Sequence, residues 1–340
     1  MEIQGAALCA LFAGLTLAET VLVRVAFCIA VLAVAGGVFI FFLVPHIVLV
    51  KTMYRDPKKP RYRGYSEGAL PQSEENATDH QKMFMRGIAW AEKHKDKICD
   101  LKIVSDRLNL YGQYVDFGYK KCAVIIQGRT ESLLYSYYFA DVYAQNGYNI
   151  LVIDTRAHGL SDGKYVTAGV LEHRDLVKWI ELIETQYGVK SFALHGICIG
   201  AAGAIYAYGA LKKAGKGAII EKLVLDGLYT SYYQVFKNHH IERKKPVIFV
   251  PFVLFYLFLR TGARLFKWAP IKYIKNVDCP ALFIWSEQDF YVKPSKGREL
   301  FAACPSQYKE LRFFPRGRHS HVRINQTEEY DSTITDFLQK

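Results

Sequence analysis

The stretch Phe192–Gly203, FALHGICIGAAG, decides the fold. Ser191–Gly196 reads as a buried strand and ICIGAAG opens a helix, joined at Gly196-Ile197-Cys198-Ile199-Gly200. A side chain at the centre of such a join is thrust out from a strained strand-to-helix turn. Small residues two positions to either side let the backbones approach. Gly200, Ala201, Ala202 and Gly203 extend the demand for close helix–sheet packing. The central residue is Cys198, and a helix N-terminus favours negative charge, which helps a thiolate. A small residue fitted into a tight turn would account for the same pattern without chemistry. A literal Gly-x-Ser-x-Gly occurs elsewhere, GLSDG at Gly159–Gly163, but KYVTAGV continues after it as loop rather than helix.

Outward from this join, strand and helix patterns alternate. DLKIVS and LNLYGQYVDFG form an antiparallel pair with a turn around Arg107-Leu108-Asn109. KCAVIIQG and YNILVID are continuous β-rich apolar runs, as expected of strands buried on both faces. Between them Leu133–Gln145 reads as a helix stopped by Asn146-Gly147. LEHRDLVKWIELIETQYG is amphipathic, with Leu176, Ile180 and Ile183 on one face and Gly188 as its stop. After Cys198 come a Gly/Ala-rich helix, the strand EKLVLDG, a long insertion and the strand CPALFIW. A helix near Ser295–Ala303, the strand ELRFFP and a last helix from about Thr327 complete the chain. Repeated β-α units with short loops predict a three-layer α/β domain with a mostly parallel sheet.

Composition frames the rest. The chain has 340 residues, 51% hydrophobic and 22% charged, enough for a membrane segment and one large domain. Val25–Val44 runs without a charge, and about 20 apolar residues span the ~30 Å hydrocarbon core. Gly5–Ala18 is also apolar but short, which leaves a two-helix hairpin as the alternative to one span. The expected organisation is a membrane anchor over 1–50, a basic and polar linker over 51–85, and an α/β domain over 86–340. Lys51, Arg55, Lys58, Lys59, Arg61 and Arg63 follow the span, opposed by Asp56. This bias places the large C-terminal part in the cytoplasm, single-pass, against anionic lipid. The net charge of +12 comes without a helix-turn-helix, zinc-ligand spacing or basic–aromatic repeat, so nucleic acid is not expected. Cys9, Cys28, Cys99, Cys122, Cys198, Cys279 and Cys304 are scattered, with no C-x-x-C, which fits a reducing compartment and no metal or cofactor.

Five stretches in order resemble the α/β-hydrolase superfamily, particularly membrane-anchored bacterial hydrolases of the serine aminopeptidase-like group. They are IIQGRTES, DTRAHGLSDG, LHGICIGAAG, ALFIWSEQDFYVKP and FFPRGRHSH. The chain departs from that group with Cys for Ser at the elbow, Gln127 where His often precedes the oxyanion glycine, Ile199 for a frequent Met, and WSEQD for a more usual HGxxD. The resemblance implies that GLSDG is a structural turn held by Asp154, Arg156 and His158, so Ser161 is not the nucleophile. It implies a catalytic set of Cys198 as nucleophile, His319 as base and Asp289 as the acid that orients it, in the chain order this fold uses. The backbone N–H groups of Arg129 and Ile199 would receive the oxyanion. His321 stands as an alternative base and Asp226 as an alternative acid, while Glu287 is expected to be solvated. Dienelactone hydrolases and polyhydroxyalkanoate synthases share the fold and use cysteine at the elbow.

The insertion over about 230–275 reads as a lid. Its segment PVIFVPFVLFYLFL (Pro246–Leu259) is intensely apolar, flanked by ERKK before and by Arg260 and Arg264 after. A segment of this length suits the membrane interface or a cover over an apolar cleft better than a span. The expected function is hydrolysis of an apolar acyl ester or thioester drawn from membrane lipids. A weakened or inactive hydrolase-fold protein that binds a lipid or protein partner, and an acyltransferase, are the alternatives.

Overall fold

In the computed structural model, which describes residues 16–56, 70–71 and 73–340, the chain divides after Val48. Helix α1 (Leu17–Thr52) fills the N-terminal unit, and only its last turn belongs to the second. Thr16 and Glu19 cap its start reciprocally, the Thr16 N–H donating to Glu19 Oε2 and the Glu19 N–H to Thr16 Oγ1. Its 36 residues rise over about 54 Å. Its most apolar stretch has a mean hydropathy of 2.9 with none of it buried, so α1 is long and apolar enough to cross a membrane. A signal sequence near the N-terminus meets the same test of length and composition. Most of Gly5–Ala18, with Cys9, Lys58, Lys59, Arg61 and Arg63, lies outside the described residues.

In the second unit, helix α2 (Asp79–Lys93) begins inside the segment read from composition as linker. Thr78 and Gln81 form a capping box at its start, and Met83, Phe84, Gly87 and Trp90 are buried along one face. Strands β1 (Ile98–Ser105) and β2 (Leu108–Val115) pair antiparallel. Their turn is Asp106-Arg107, one residue earlier than the sequence pattern put it, because both residues take positive φ, as a two-residue hairpin loop requires.

After β3 (Lys121–Ile126), the expected helix over Leu133–Gln145 is broken into three. Helix α3 (Leu133–Ser136) is followed by a 3₁₀ turn at Tyr137–Phe139 and helix α4 (Ala140–Gln145). The aromatic run is drawn inward at the 3₁₀ turn, where Tyr137, Tyr138 and Phe139 are all buried. The chain continues through β4 (Asn149–Ile153), α5 (Glu172–Tyr187), β5 (Ser191–Ile197), α6 (Ile199–Lys213) and β6 (Ile220–Asp226). The insertion holds α7 (Tyr232–Glu242), α8 (Val250–Thr261) and α9 (Pro270–Tyr273). Then follow β7 (Ala281–Ser286), α10 (Pro294–Ala303), β8 (Lys309–Phe314), α11 (Val322–Asn325) and α12 (Thr327–Gln339).

The eight strands form one sheet in the order β1-β2-β4-β3-β5-β6-β7-β8. The β1/β2 and β2/β4 pairs are antiparallel, and every pair from β4 to β8 is parallel. The chain steps from β3 to β4 on one side, then crosses back to β5 on the other. Right-handed crossovers then put helices on both faces, α2, α3, α4 and α12 on one and α5, α6, α9 and α10 on the other. This is the three-layer, mostly parallel arrangement expected from the pattern. The winding reverses at β3, so the carboxyl ends of β3 and β5 frame the crevice where such sheets bind ligands.

Within the insertion, α8 is half-buried. Val250, Val253, Leu254 and Leu257 are covered, while Phe252, Phe255 and Leu259 face outward at helical spacing.

Candidate active site

Cys198 is the first residue past β5 and the N-cap of α6. Its φ of 52° and ψ of −107° are the strained conformation of a strand-to-helix turn, held because its N–H donates to Asp226 O at 2.9 Å. The glycines flanking it cannot be replaced freely. A Cβ on Gly196 would meet the Ala201 backbone at 2.4 Å, and one on Gly200 would meet Ile126 O at 2.2 Å. Cys198 is 8% exposed and lines a cavity of about 240 Å³ that His319 also lines.

His319 sits on the loop after β8 and Asp289 on the loop after β7. Their side chains meet at 2.6 Å between Nδ1 and Oδ2. Asp289 is buried, and its other oxygen accepts the Val292 N–H at 2.8 Å, which fixes the carboxylate plane. With Nδ1–H donating to Asp289, Nε2 is the atom left for the cavity, and it is buried without an aligned hydrogen-bond partner. Burial alone would discharge the imidazole. The Asp289 carboxylate and the Cys198 thiol outweigh it and hold the His319 pKa well above its ordinary range. Cys198 and His319 line the same cavity, and Nε2 makes no hydrogen bond there.

Gly227, directly after β6, makes room for this imidazole. A Cβ there would stand 2.9 Å from His319 Cε1, and the residue has φ +63°. His321 lines the same cavity but meets His80 edge-on, at 6.0 Å between ring centroids, while Asp289 pairs with His319. Glu287 is exposed.

The loop after β3 carries Gly128 and Arg129. Among the described residues no hydrogen bond engages the N–H of Arg129 or of Ile199. The loop is braced from two sides. Glu131 Oε2 accepts the Gly128 N–H at 2.8 Å, and His158 Nε2 lies 2.7 Å from Arg129 O. The carbonyl can only accept, so His158 donates from Nε2, while its Nδ1 lies 2.9 Å from Thr155 Oγ1 and 3.0 Å from Arg156 O. Gln127 approaches Thr155 in turn at 3.4 Å.

The GLSDG segment is structural in its contacts. Asp154 accepts from the N–H of Leu133 and of Leu160, and Arg156 forms a buried two-pronged pair with Asp175. Ser161 Oγ accepts the Tyr111 N–H at 2.8 Å and donates to Asp154 O, so its hydroxyl is occupied.

Three groups have contacts that the sequence reading did not give them. Glu131 lines the cavity, and burial pushes its carboxyl pKa up. Asp226, weighed from sequence as an alternative acid or a strand-end loop residue, is the last residue of β6 and fully enclosed, and its carboxyl faces Tyr330 while His319 pairs with Asp289. Tyr330 Oη donates to it at 2.8 Å and lies 3.2 Å from His195 Nε2. Burial raises Asp226 to about 7 and lowers His195 to about 3. The third is the segment just past α1. Arg129 Nη1 donates to Thr52 O at 3.0 Å, and Arg55 donates to Ser161 O at 3.0 Å and Gly159 O at 2.6 Å. Tyr232 Oη, in the cavity wall, donates to Met53 Sδ at 3.0 Å. Residues 52–55 are therefore part of the scaffold that positions the β3 loop. Among the described residues no cluster of His, Cys, Asp and Glu is arranged to hold a metal ion.

No protein-family model matches the chain. An uncharacterized protein of Bacillus subtilis, YqkD, is 28% identical over 216 residues, 63% of this chain and 70% of that protein. Among solved structures, the esterase Pf2001 of Pyrococcus furiosus superposes with a TM-score of 0.61 at 22% identity, covering 73% of this chain and 94% of its own. An α/β hydrolase from Vibrio vulnificus gives 0.59 at 16% identity over 84% of this chain and 99% of its own. The α/β hydrolase GrgF from a Penicillium species gives 0.55 at 15% identity over 71% of this chain and 98% of its own. The fold is that of the α/β hydrolases.

Proposed function

We propose that this α/β-hydrolase fold works as a membrane-anchored hydrolase of acyl esters or thioesters, through Cys198, His319 and Asp289 with a covalent acyl-enzyme. One observation carries the reading. The cavity that receives the strained Cys198 also receives His319, whose Nδ1 is committed to Asp289 and whose Nε2 is uncommitted. That is a nucleophile, a base and an orienting acid, each on a different strand end.

The Asp289 carboxylate favours the protonated imidazole, and in this mechanism the cysteine reacts as a thiolate paired with that imidazolium. The thiolate attacks the acyl carbon, and the carbonyl oxygen becomes an oxyanion that the N–H groups of Arg129 and Ile199 receive. His319 Nε2–H then protonates the departing alcohol or thiol as its bond to carbon breaks, leaving the acyl group on sulfur. Water enters, gives its proton to the now neutral Nε2, and attacks the acyl carbon. The sulfur leaves as thiolate and the acid product departs, which restores the starting ion pair. Asp289 stays ionised throughout and stabilises each imidazolium.

The membrane reading is supported by the length and apolarity of α1 and by the outward Phe252, Phe255 and Leu259 of α8, with Arg260 and Arg264 beside them. In this reading α1 spans the bilayer once, the catalytic domain lies on the cytoplasmic side, and α8 rests in the interface as part of the lid. The test is labelling of the intact chain with a thiol-reactive acyl probe. Label on Cys198 that is retained in Ser161→Ala and lost in Cys198→Ala, together with ester turnover, supports the reading. Absence of turnover across ester and thioester panels, with lipid binding intact in Cys198→Ala, sinks it in favour of a binding protein.

A further inference from the structure

The mouth of the cavity holds two guanidinium groups without a counter-ion. Arg129, on the loop after β3, and Arg243, at the C-terminal end of α7, both line it. Among the described residues neither forms an ion pair with a carboxylate. Arg129 spends one N–H on the neutral Thr52 carbonyl and keeps its charge uncompensated. Glu242, next in sequence to Arg243, is engaged with the Tyr291 hydroxyl. The two arginines act on one spot. Both depress the protonation of His239 after burial has done most of that work, with Glu242 opposing them there, and both act on Tyr291 behind the stronger effect of Glu242. The His239 and Tyr291 rings lie 5.4 Å apart, and Tyr291 stands edge-on to His319 at 5.6 Å. The positive field therefore lies directly beside the base that serves Cys198.

The other polar residues of the wall do not cancel it. His80 and His239 are pushed down to about 4, chiefly by burial, and are neutral at pH 7. Glu131 commits its Oε2 to the Gly128 amide rather than to either guanidinium. Low-dielectric walls carrying one sign of charge concentrate the opposite sign in a ligand. Planar guanidinium forks match the oxygens of a phosphate. The volume of about 240 Å³ holds a reacting ester and a compact headgroup, while a long acyl chain must leave over the lid.

From this we propose that the substrate is an acyl ester or thioester whose alcohol or thiol part carries a phosphate, which Arg243 and Arg129 bind. The proposal rests on the hydrolase reading above and adds the leaving-group chemistry to it. Two sources supply such a group, a phosphate-bearing lipid in the bilayer or a soluble phosphorylated acyl carrier.

The test uses the intact chain in detergent or nanodiscs with paired esters of one acyl chain, a butyryl glycerol 3-phosphate and the phosphate-free butyryl glycerol. The wild type should prefer the phosphate ester in kcat/KM by about 10- to 100-fold, the value of charge-assisted hydrogen bonds. Arg243→Gln should cut that ratio at least about tenfold. Arg243→Lys should recover part of it, and the exposed neighbour Lys244→Gln should leave it unchanged. Equal rates on the two esters, or a ratio indifferent to Arg243→Gln, overturns the proposal while leaving the hydrolase reading in place. If the wild type cleaves neither ester, calorimetric binding to Cys198→Ala decides. Preferential binding of the phosphate ester, lost in Arg243→Gln, upholds the anion site alone, and no preference overturns it. Repeating the pair with palmitoyl chains in vesicles separates the sources, because a lipid substrate keeps or enlarges the preference there and a soluble one loses it.

Discussion

Gly200→Ala tests the elbow at its tightest point. The added methyl would lie 2.2 Å from Ile126 O, 2.8 Å from Ile126 C and 2.9 Å from Gln127 O. All three are main-chain atoms of the end of β3 and its loop, so no side chain can swing aside. Ordinary contact begins near 3.4 Å, and the start of α6 must therefore retreat by about 1 Å. The N–H of Ile199 retreats with it, away from the N–H of Arg129. A misplacement of about 1 Å at reacting groups costs roughly 10²-fold in rate, and overpacking of this kind costs about 1–3 kcal/mol. The assay is kcat for a p-nitrophenyl acyl ester, with urea denaturation on the same preparation. Gly209→Ala, on the same helix and with nothing within 4 Å of its added methyl, is the control. It should keep full activity and gain about 0.5–1 kcal/mol from helix propensity. If Gly200→Ala matches the wild type in both rate and stability, the close approach of β3 and α6 is not what holds the site.

Three further outcomes follow from the same geometry. Cys198→Ser should lose at least about tenfold in kcat at pH 7, because a site shaped for the larger sulfur holds a hydroxyl oxygen out of reach of the acyl carbon and of His319. A gain in kcat at pH 7 would mark a decayed serine enzyme instead. Asp226 is raised to about 7 in the folded chain, so the unfolded chain ionises first and stability falls as pH climbs from about 4 to 7. Asp226→Asn should abolish that fall and be more stable than wild type at pH 8 by about 2–4 kcal/mol, with no advantage at pH 4, by denaturant titration at the two pH values. Arg55→Ala removes two donors from the loop whose His158 braces Arg129. It should lower kcat more than it changes KM and cost about 1–3 kcal/mol of stability, and an unaltered kcat would detach residues 52–55 from the site.

The elbow was legible because its requirement is local. Gly196, Cys198 and Gly200 lie within five residues, and their spacing states the packing problem they solve. Asp289 and His319 were legible because a parallel sheet gathers its strand ends at one edge, so the loops after β7 and β8 must be neighbours. Glu131 was not, because its task is to accept an amide three residues away, which any polar side chain in that loop could be imagined to do. The Asp226–Tyr330–His195 cluster joins residues more than 100 apart, and no periodicity records such a meeting. Its signal was partial, in that Asp226 stood out as a possible acid while nothing marked Tyr330 or His195 as its partners. Thr52 and Arg55 were read only as charge and tether, since hydrogen bonds to the distant Arg129 side chain and Gly159 carbonyl leave no trace in composition.

Ser161 illustrates how a consensus pattern can mislead a chemical survey. Its oxygen is already committed to Tyr111 and Asp154, inside a wall where it is 1% exposed. Organophosphorus reagents, which find their targets by seeking activated hydroxyls, have nothing to react with at that position. Under the proposed cysteine mechanism, a proteome screened in that way would pass over this chain, and electrophiles selective for sulfur would bring it into view.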